Sequence, residues 1–176
     1  AAIDSRSGAI EHLERDGFAG NFADTAKGGL NGYFYLSGKD PKDARPAGKS
    51  TVAVKENGPL LVTLVITSEA PGCTKLTREV TMYSGLDRLD IADTPDRKRV
   101  PEKESVHFAF PFDVPDGQIR YDVAWGVVRP DIDQLTGGNR NVFSIERWAD
   151  VSNDTRGVTL ASLDAPLIEI ADMNAE

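Results

Sequence analysis

Arg129, Asp131, Asp133 and Arg140 stand around Pro130 and the Gly137-Gly138 pair, and Arg147-Trp148 follows shortly after. Carboxylates and guanidinium groups bond hydroxyls in fixed directions, and an indole face packs against the C–H surface of a pyranose. That combination can grip a sugar, so Arg129, Asp133, Arg147 and Trp148 are the candidate sugar contacts. The same residues also read as a loop braced by Asp–Arg pairs with Trp148 in the core. Spacing alone leaves both readings open.

Other reactive chemistry is sparse. His12 and His107 are the only histidines and fall in separate predicted strands, so a His-based metal site would have to recruit several carboxylates. Asp87, Asp90, Asp93 and Asp96 recur at every third position, which on a helix would make one acidic face. Gly85 and Pro95 instead assign them to strand and loop, as a solvated surface without the Asp-x-Asp-x-Asp-Gly order of a calcium loop. Cys73 is the single cysteine, which excludes an internal disulfide and an all-cysteine metal site and suits a small buried apolar role. The chain has no Gly-rich phosphate loop, no Gly-x-Ser-x-Gly elbow and no His-Glu-x-x-His pair. No catalytic, cofactor-binding or metal-ligating residue is therefore assigned.

The elements that must position these residues are strands. The 176 residues are 40% hydrophobic and 27% charged, an ordinary globular balance, and are read as a single β-sandwich domain over residues 1–176. A net charge of -8 argues against a phosphate-backbone or anionic-membrane partner, and no apolar run approaches the length needed to span a bilayer. The expected partners thus include no nucleic acid and no membrane. The opening Ala1-Ala2-Ile3-Asp4 suggests a removed leader or a chain cut from something longer, and leaves the compartment open.

Val106, Phe108, Phe110, Phe112 and Val114 occupy alternate positions, which places all five on one face of a strand. Pro111 cannot donate to a ladder, so that strand is expected at an edge or a bulge. Ile119, Tyr121, Val123, Trp125 and Val127 repeat the alternation after Pro115-Asp116-Gly117, predicting a hairpin between the two segments with their aromatics in the core. Residues 51–54 and 60–67 flank Asn57-Gly58 as a second hairpin, although Pro59 speaks against a two-residue loop. Leu76, Val80 and Met82, then Leu89 and Ile91, extend the pattern past Ser84-Gly85. Further strands are expected at 142–151, 157–162 and 167–170, making nine or ten in all, with the charged segments 39–46 and 93–103 as surface loops. This is the pattern of an all-β, antiparallel β-sandwich.

The order of several short segments adds a resemblance. Ser7-Gly8-Ala9-Ile10, Leu76-Thr77-Arg78-Glu79-Val80-Thr81, Lys103-Glu104, Phe108-Ala109-Phe110-Pro111-Phe112, Arg129-Pro130, Asp133-Gln134-Leu135, Arg147-Trp148-Ala149-Asp150-Val151-Ser152, Gly157-Val158-Thr159-Leu160 and Asp164-Ala165-Pro166-Leu167 succeed one another. In this order the chain resembles the C-terminal β-sandwich region of glycoside hydrolase family 38 α-mannosidases. The resemblance implies a partial galactose-mutarotase-like supersandwich and a fragment of a larger multidomain enzyme. It also implies that zinc, the nucleophilic Asp and the acid/base carboxylate lie in a missing catalytic domain, which would be the intramolecular partner. This chain would then be non-catalytic and meet carbohydrate, a mannoside, through the parent enzyme. A stand-alone carbohydrate-binding module is the alternative, and a free-standing epimerase using His107 or His12 with a Glu is a third reading.

Overall fold

The computed structural model describes residues 1–130, 132–138 and 141–170, and within them the chain is all-β, with fifteen strands, two 3-10 turns and no α-helix. It is an antiparallel β-sandwich whose residues gather in two compact units, Ala1–Pro111 and Phe112–Glu176. The count exceeds the nine or ten expected because several strands are only two or three residues long, too short to show an alternation.

The first unit runs through β1 (Ala2–Ile3), β2 (Ile10–His12), β3 (Gly32–Ser37), β4 (Arg45–Pro46), β5 (Ser50–Asn57), β6 (Leu61–Ser68), β7 (Cys73–Tyr83), β8 (Leu89–Arg97) and β9 (Glu104–Ala109). Strands β5 to β8 form a meander in chain order, and β3 lies between β4 and β9 in a second sheet. The β5–β6 hairpin turns at Asn57-Gly58 as expected, with residues 58–60 outside both strands and the Gly58 amide on the Leu61 carbonyl at 3.0 Å. Along β7, Leu76, Arg78 and Val80 are buried while Thr77, Glu79 and Thr81 are partly exposed, the period of two that a half-buried strand requires. A bulge between Cys73 and Lys75 shifts the register, so that Cys73 shares the buried face with Leu76 despite its odd spacing.

Tyr33, Tyr35, Ala70, Cys73 and Leu76 form the core of this unit, with Val106 and Phe108 packed against it. Tyr33 and Phe108 are cross-strand partners and meet edge to face at 5.6 Å between ring centres. Such a pair adds about 0.5–1.5 kcal/mol beyond its burial. Cys73 is buried, as anticipated for a small apolar residue.

Beneath β5 and β7 lies a polar knot. Arg78 is 0% exposed, and its guanidinium donates to the Asn31 carbonyl at 3.1 Å, the Ser7 carbonyl at 2.7 Å and Ser50 Oγ at 3.4 Å. Asn31, held at φ 60°, donates its side-chain amide to Asp93 Oδ1 at 3.0 Å. Burial draws the Arg78 pKa down and the charge of Asp93 pulls against it. Burial likewise pushes Asp93 up, opposed by the Asn31 amide and the Arg78 charge.

Asp93 corrects an expectation, because 93–97 is not surface loop but the second half of β8, paired with β7 through Arg78↔Asp93. Pro95 stands on β8, the edge strand of its sheet, where a residue without an amide is best tolerated. The segment 105–114 is likewise shorter than its alternation: β9 stops at Ala109, ahead of Pro111, and lies at the edge of its sheet.

The second unit holds β10 (Gln118–Val123), β11 (Gly126–Val128), β12 (Val142–Ser144), β13 (Trp148–Ser152), β14 (Gly157–Ala161) and β15 (Leu167–Glu169). One sheet has the order β11-β10-β13-β14, and β12 pairs with β15. The predicted hairpin between 105–114 and 119–127 does not form, since β9 pairs with β3 while β10 takes β11 and β13 as neighbours. Pro115-Asp116-Gly117 does turn the chain, with Gly117 bonded to the Val114 carbonyl at 3.0 Å, but a turn signal does not choose the partner strand. Nor is Trp125 core: it sits in the two-residue turn between β10 and β11 at φ 70° and is 105% exposed. The apolar alternation ran unbroken through a chain reversal. Tyr121, Phe143 and Ile145 form the core of this unit, with Tyr121 and Phe143 ring centres 5.0 Å apart.

Candidate functional site

The register of β10, β13 and β14 places Arg120 opposite Asp150 and Asp150 opposite Thr159. Opposite residues share a face, and Trp148 lies two positions before Asp150, so all four stand on one side of the sheet. The other side takes Ile119, Tyr121, Ala149, Val151, Val158 and Leu160. Arg120, Trp148, Asp150 and Thr159 together line a shallow depression open to solvent.

Two devices fix this surface. Asp122 Oδ1 accepts the backbone amides of Arg147 at 2.8 Å and Trp148 at 2.9 Å, which pins the start of β13 against the end of β10. Burial opposes the charge of Asp122, but the amides of Trp148, Arg147 and Glu146 outweigh it and hold its pKa below the usual carboxylate range. Asp150 in turn accepts Ser152 Oγ at 2.7 Å and Thr159 Oγ1 at 3.2 Å, so its orientation is set by two neutral hydroxyls. Among the described residues the Arg120 guanidinium makes one contact, at 3.4 Å to Gln118 Oε1.

Of the residues singled out from sequence, Trp148 is half-buried on this face. Arg147 is 76% exposed and reaches Asp122 Oδ2 at 3.6 Å through Nε. Arg129 and Asp133 grip each other: Nε to Oδ2 is 3.0 Å, Nη2 to Oδ1 is 2.9 Å, and the Arg129 amide adds a third bond at 2.9 Å. This bidentate clamp is the brace that the sequence allowed for that loop. Asp131 and Arg140 lie outside the described residues.

The clamp has a measurable consequence. Its hydrogen bonds from Arg129 lower the Asp133 pKa to about 2. A carboxylate NMR titration is expected to place Asp133 at about 2, and Arg129→Ala to return it toward the ordinary aspartate range. Because the folded pKa is depressed, the clamp stabilises the fold above the unfolded pKa and ceases to as pH falls through about 2. An Asp133 that titrates normally in the intact chain would show that the clamp does not persist in solution.

The sequence reading missed Arg120, Asp150 and Thr159. Arg120 and Asp150 each sit in an alternating strand, which marks them as outward-facing, but only the strand register brings them together. The two histidines are engaged away from this face. His12 Nε2 meets Glu14 at 3.2 Å, and His107 Nε2 meets Ser105 Oγ at 2.9 Å. Among the described residues no group of three or more His, Cys, Asp or Glu is placed to hold a metal ion. The described side chains do not fit a zinc centre.

The described residues thus give an all-β antiparallel chain with one open sheet face that bears an indole. Residues 33–165 match the glycosyl hydrolases family 38 C-terminal domain, and the chain belongs to that family. It is thus a non-catalytic domain associated with a glycoside hydrolase. No curated protein sequence matches the chain.

Proposed function

We propose that this chain is the C-terminal β domain of a retaining α-mannosidase, giving architectural support to a separate catalytic domain that holds zinc and the two reacting carboxylates. The observation that carries this reading is the family match over residues 33–165, which spans both compact units. Double displacement needs two carboxyl groups about 5–5.5 Å apart, one free to attack and one free to exchange protons. Here Asp133 is clamped by Arg129, Asp122 by backbone amides and Asp90 by Arg88 and Tyr83. Such carboxylates suit bracing better than catalysis.

The test is expression of the longer reading frame that carries this segment, assayed against a panel of p-nitrophenyl hexosides. Hydrolysis of the α-mannoside with retention at the anomeric carbon is expected, lost on chelation and restored by zinc, with the 176-residue chain inert by itself. Preference for another hexoside, or hydrolysis by this chain alone, would overturn the reading. The alternative of a stand-alone carbohydrate-binding module is favoured by one observation, the open surface at Trp148.

A further inference from the structure

The geometry points to a carbohydrate-binding surface on the outer face of β10, β13 and β14, with Trp148 as the stacking platform and Arg120, Asp150 and Thr159 as the polar contacts of a mannoside-class pyranose. The mannoside assignment rests on the α-mannosidase reading, whereas the surface rests on the register of three strands. A pyranose offers an apolar C–H face and a rim of hydroxyls that each donate one bond and accept others. Trp148 supplies the flat apolar partner. Arg120 and Asp150, directly opposite across the ladder, supply donors and acceptors side by side, the complement of two neighbouring hydroxyls.

Availability and rigidity separate this set from the clamp at Arg129. Arg120 is exposed and, among the described residues, engaged by the 3.4 Å contact to Gln118 alone, which leaves donors for a ligand. Asp150 is oriented by Ser152 and Thr159, each occupying one of the roughly four lone-pair positions of a carboxylate, and acceptor capacity is left over. Asp122 fixes the backbone of Trp148 itself, so the indole rests on a held strand rather than a loop. The pairing of opposite charges also selects the ligand class. A phosphate or sulfate drawn to Arg120 would meet the Asp150 carboxylate in a chain of net charge -8, while a neutral polyol satisfies both groups.

The experiment is a 1H–15N titration of the 176-residue chain with methyl α-mannoside and an α-linked mannobiose, followed at the two indole N–H resonances. The Trp148 resonance is assigned by its loss in Trp148→Phe. It is expected to shift saturably, while Trp125, exposed in the β10–β11 turn, stays still as an internal control. Arg120→Ala, a surface change that preserves the dispersion of the spectrum, should weaken binding about tenfold or more, as loss of a hydrogen bond to a charged group does. Asp150→Asn should weaken it in the same direction. A Trp148 resonance unmoved at the highest soluble sugar concentration, or variants that bind as the parent does, overturns the surface. If that silence accompanies α-mannosidase activity in the longer protein, the surface alone has failed. If Trp148 responds to glucosides and not to mannosides, the mannoside assignment has failed.

Discussion

Replacing Arg78 with Met will lower the stability of the chain by about 3–5 kcal/mol, the range seen when one partner of a buried charged network is removed. The side chain is wholly buried and is the donor for two backbone carbonyls, those of Ser7 and Asn31, that come from distant parts of the first unit. Methionine fills much of the volume but leaves both carbonyls without that donor and Asp93 without its counter-charge. Urea denaturation of parent and variant, with the slope checked for constancy, measures the loss. A cost under about 1 kcal/mol would mean that the knot is incidental to folding.

The deficit will also depend on pH, and its sign follows from Asp93. Its folded pKa is raised, first by burial, so the folded chain holds that proton more tightly than the unfolded chain. The contribution to stability is complete below the unfolded value and is lost as pH rises through the folded one. In Arg78→Met the opposing charge is gone, the Asp93 pKa climbs further, and the window widens upward. The gap between parent and variant should therefore narrow as the solution is acidified, and Arg78→Met with Asp93→Asn should remove that pH-dependent part. A gap that stays constant from neutral to mildly acid pH would exclude Asp93 as the coupled group.

The physics of Arg78 and Asp93 also marks where sequence reading stops. Alternation along Leu76, Val80 and Met82, and the Asn57-Gly58 turn, are local signals, and β5, β6 and β7 formed as they indicated. Pro111 marks a limit of the same local reading: β9 ends before it, so its missing amide falls outside the strand. Arg78 sits in the same alternation, yet nothing local says that a cation belongs on the buried face. Its acceptors come from Ser7, Asn31 and Ser50, joined only by the tertiary fold. Asp93 looked like part of a charged loop for the same reason.

The candidate site divides along the same line. Arg129 and Asp133, four residues apart, could be foreseen as a clamp from spacing, and Trp148 as a sugar platform or a core residue. Arg120 and Thr159 could not, because they become neighbours of Trp148 only through the pairing of β10 and β14 with β13. Trp125 shows the opposite failure: its apolar character fitted a strand period, but a left-handed residue in a two-residue turn has no strand face to occupy.

Gly8→Ala will be nearly as damaging as the loss of Arg78, and for a reason that lies in the space the native glycine leaves empty. Gly8 has φ 70°, and a Cβ there would overlap the Arg78 guanidinium while standing 2.6 Å from Ile66 Cγ2 and 2.7 Å from Ser50 Oγ. The left-handed backbone costs a non-glycine residue about 1–2 kcal/mol, and forcing atoms into a packed core adds about 1–3 kcal/mol more. Together they come to about 2–5 kcal/mol, a large share of the roughly 5–15 kcal/mol that stabilises a typical domain. Gly17 separates the two terms, because it has φ 85° with nothing within 4 Å of the added carbon. Gly17→Ala should therefore cost only the backbone term, about 1–2 kcal/mol. Denaturation midpoints of the two variants decide the matter: equal losses would show that the space above Arg78 yields freely, while a clearly larger loss at Gly8 ties the N-terminal Ser7-Gly8-Ala9-Ile10 segment to the buried cation it covers.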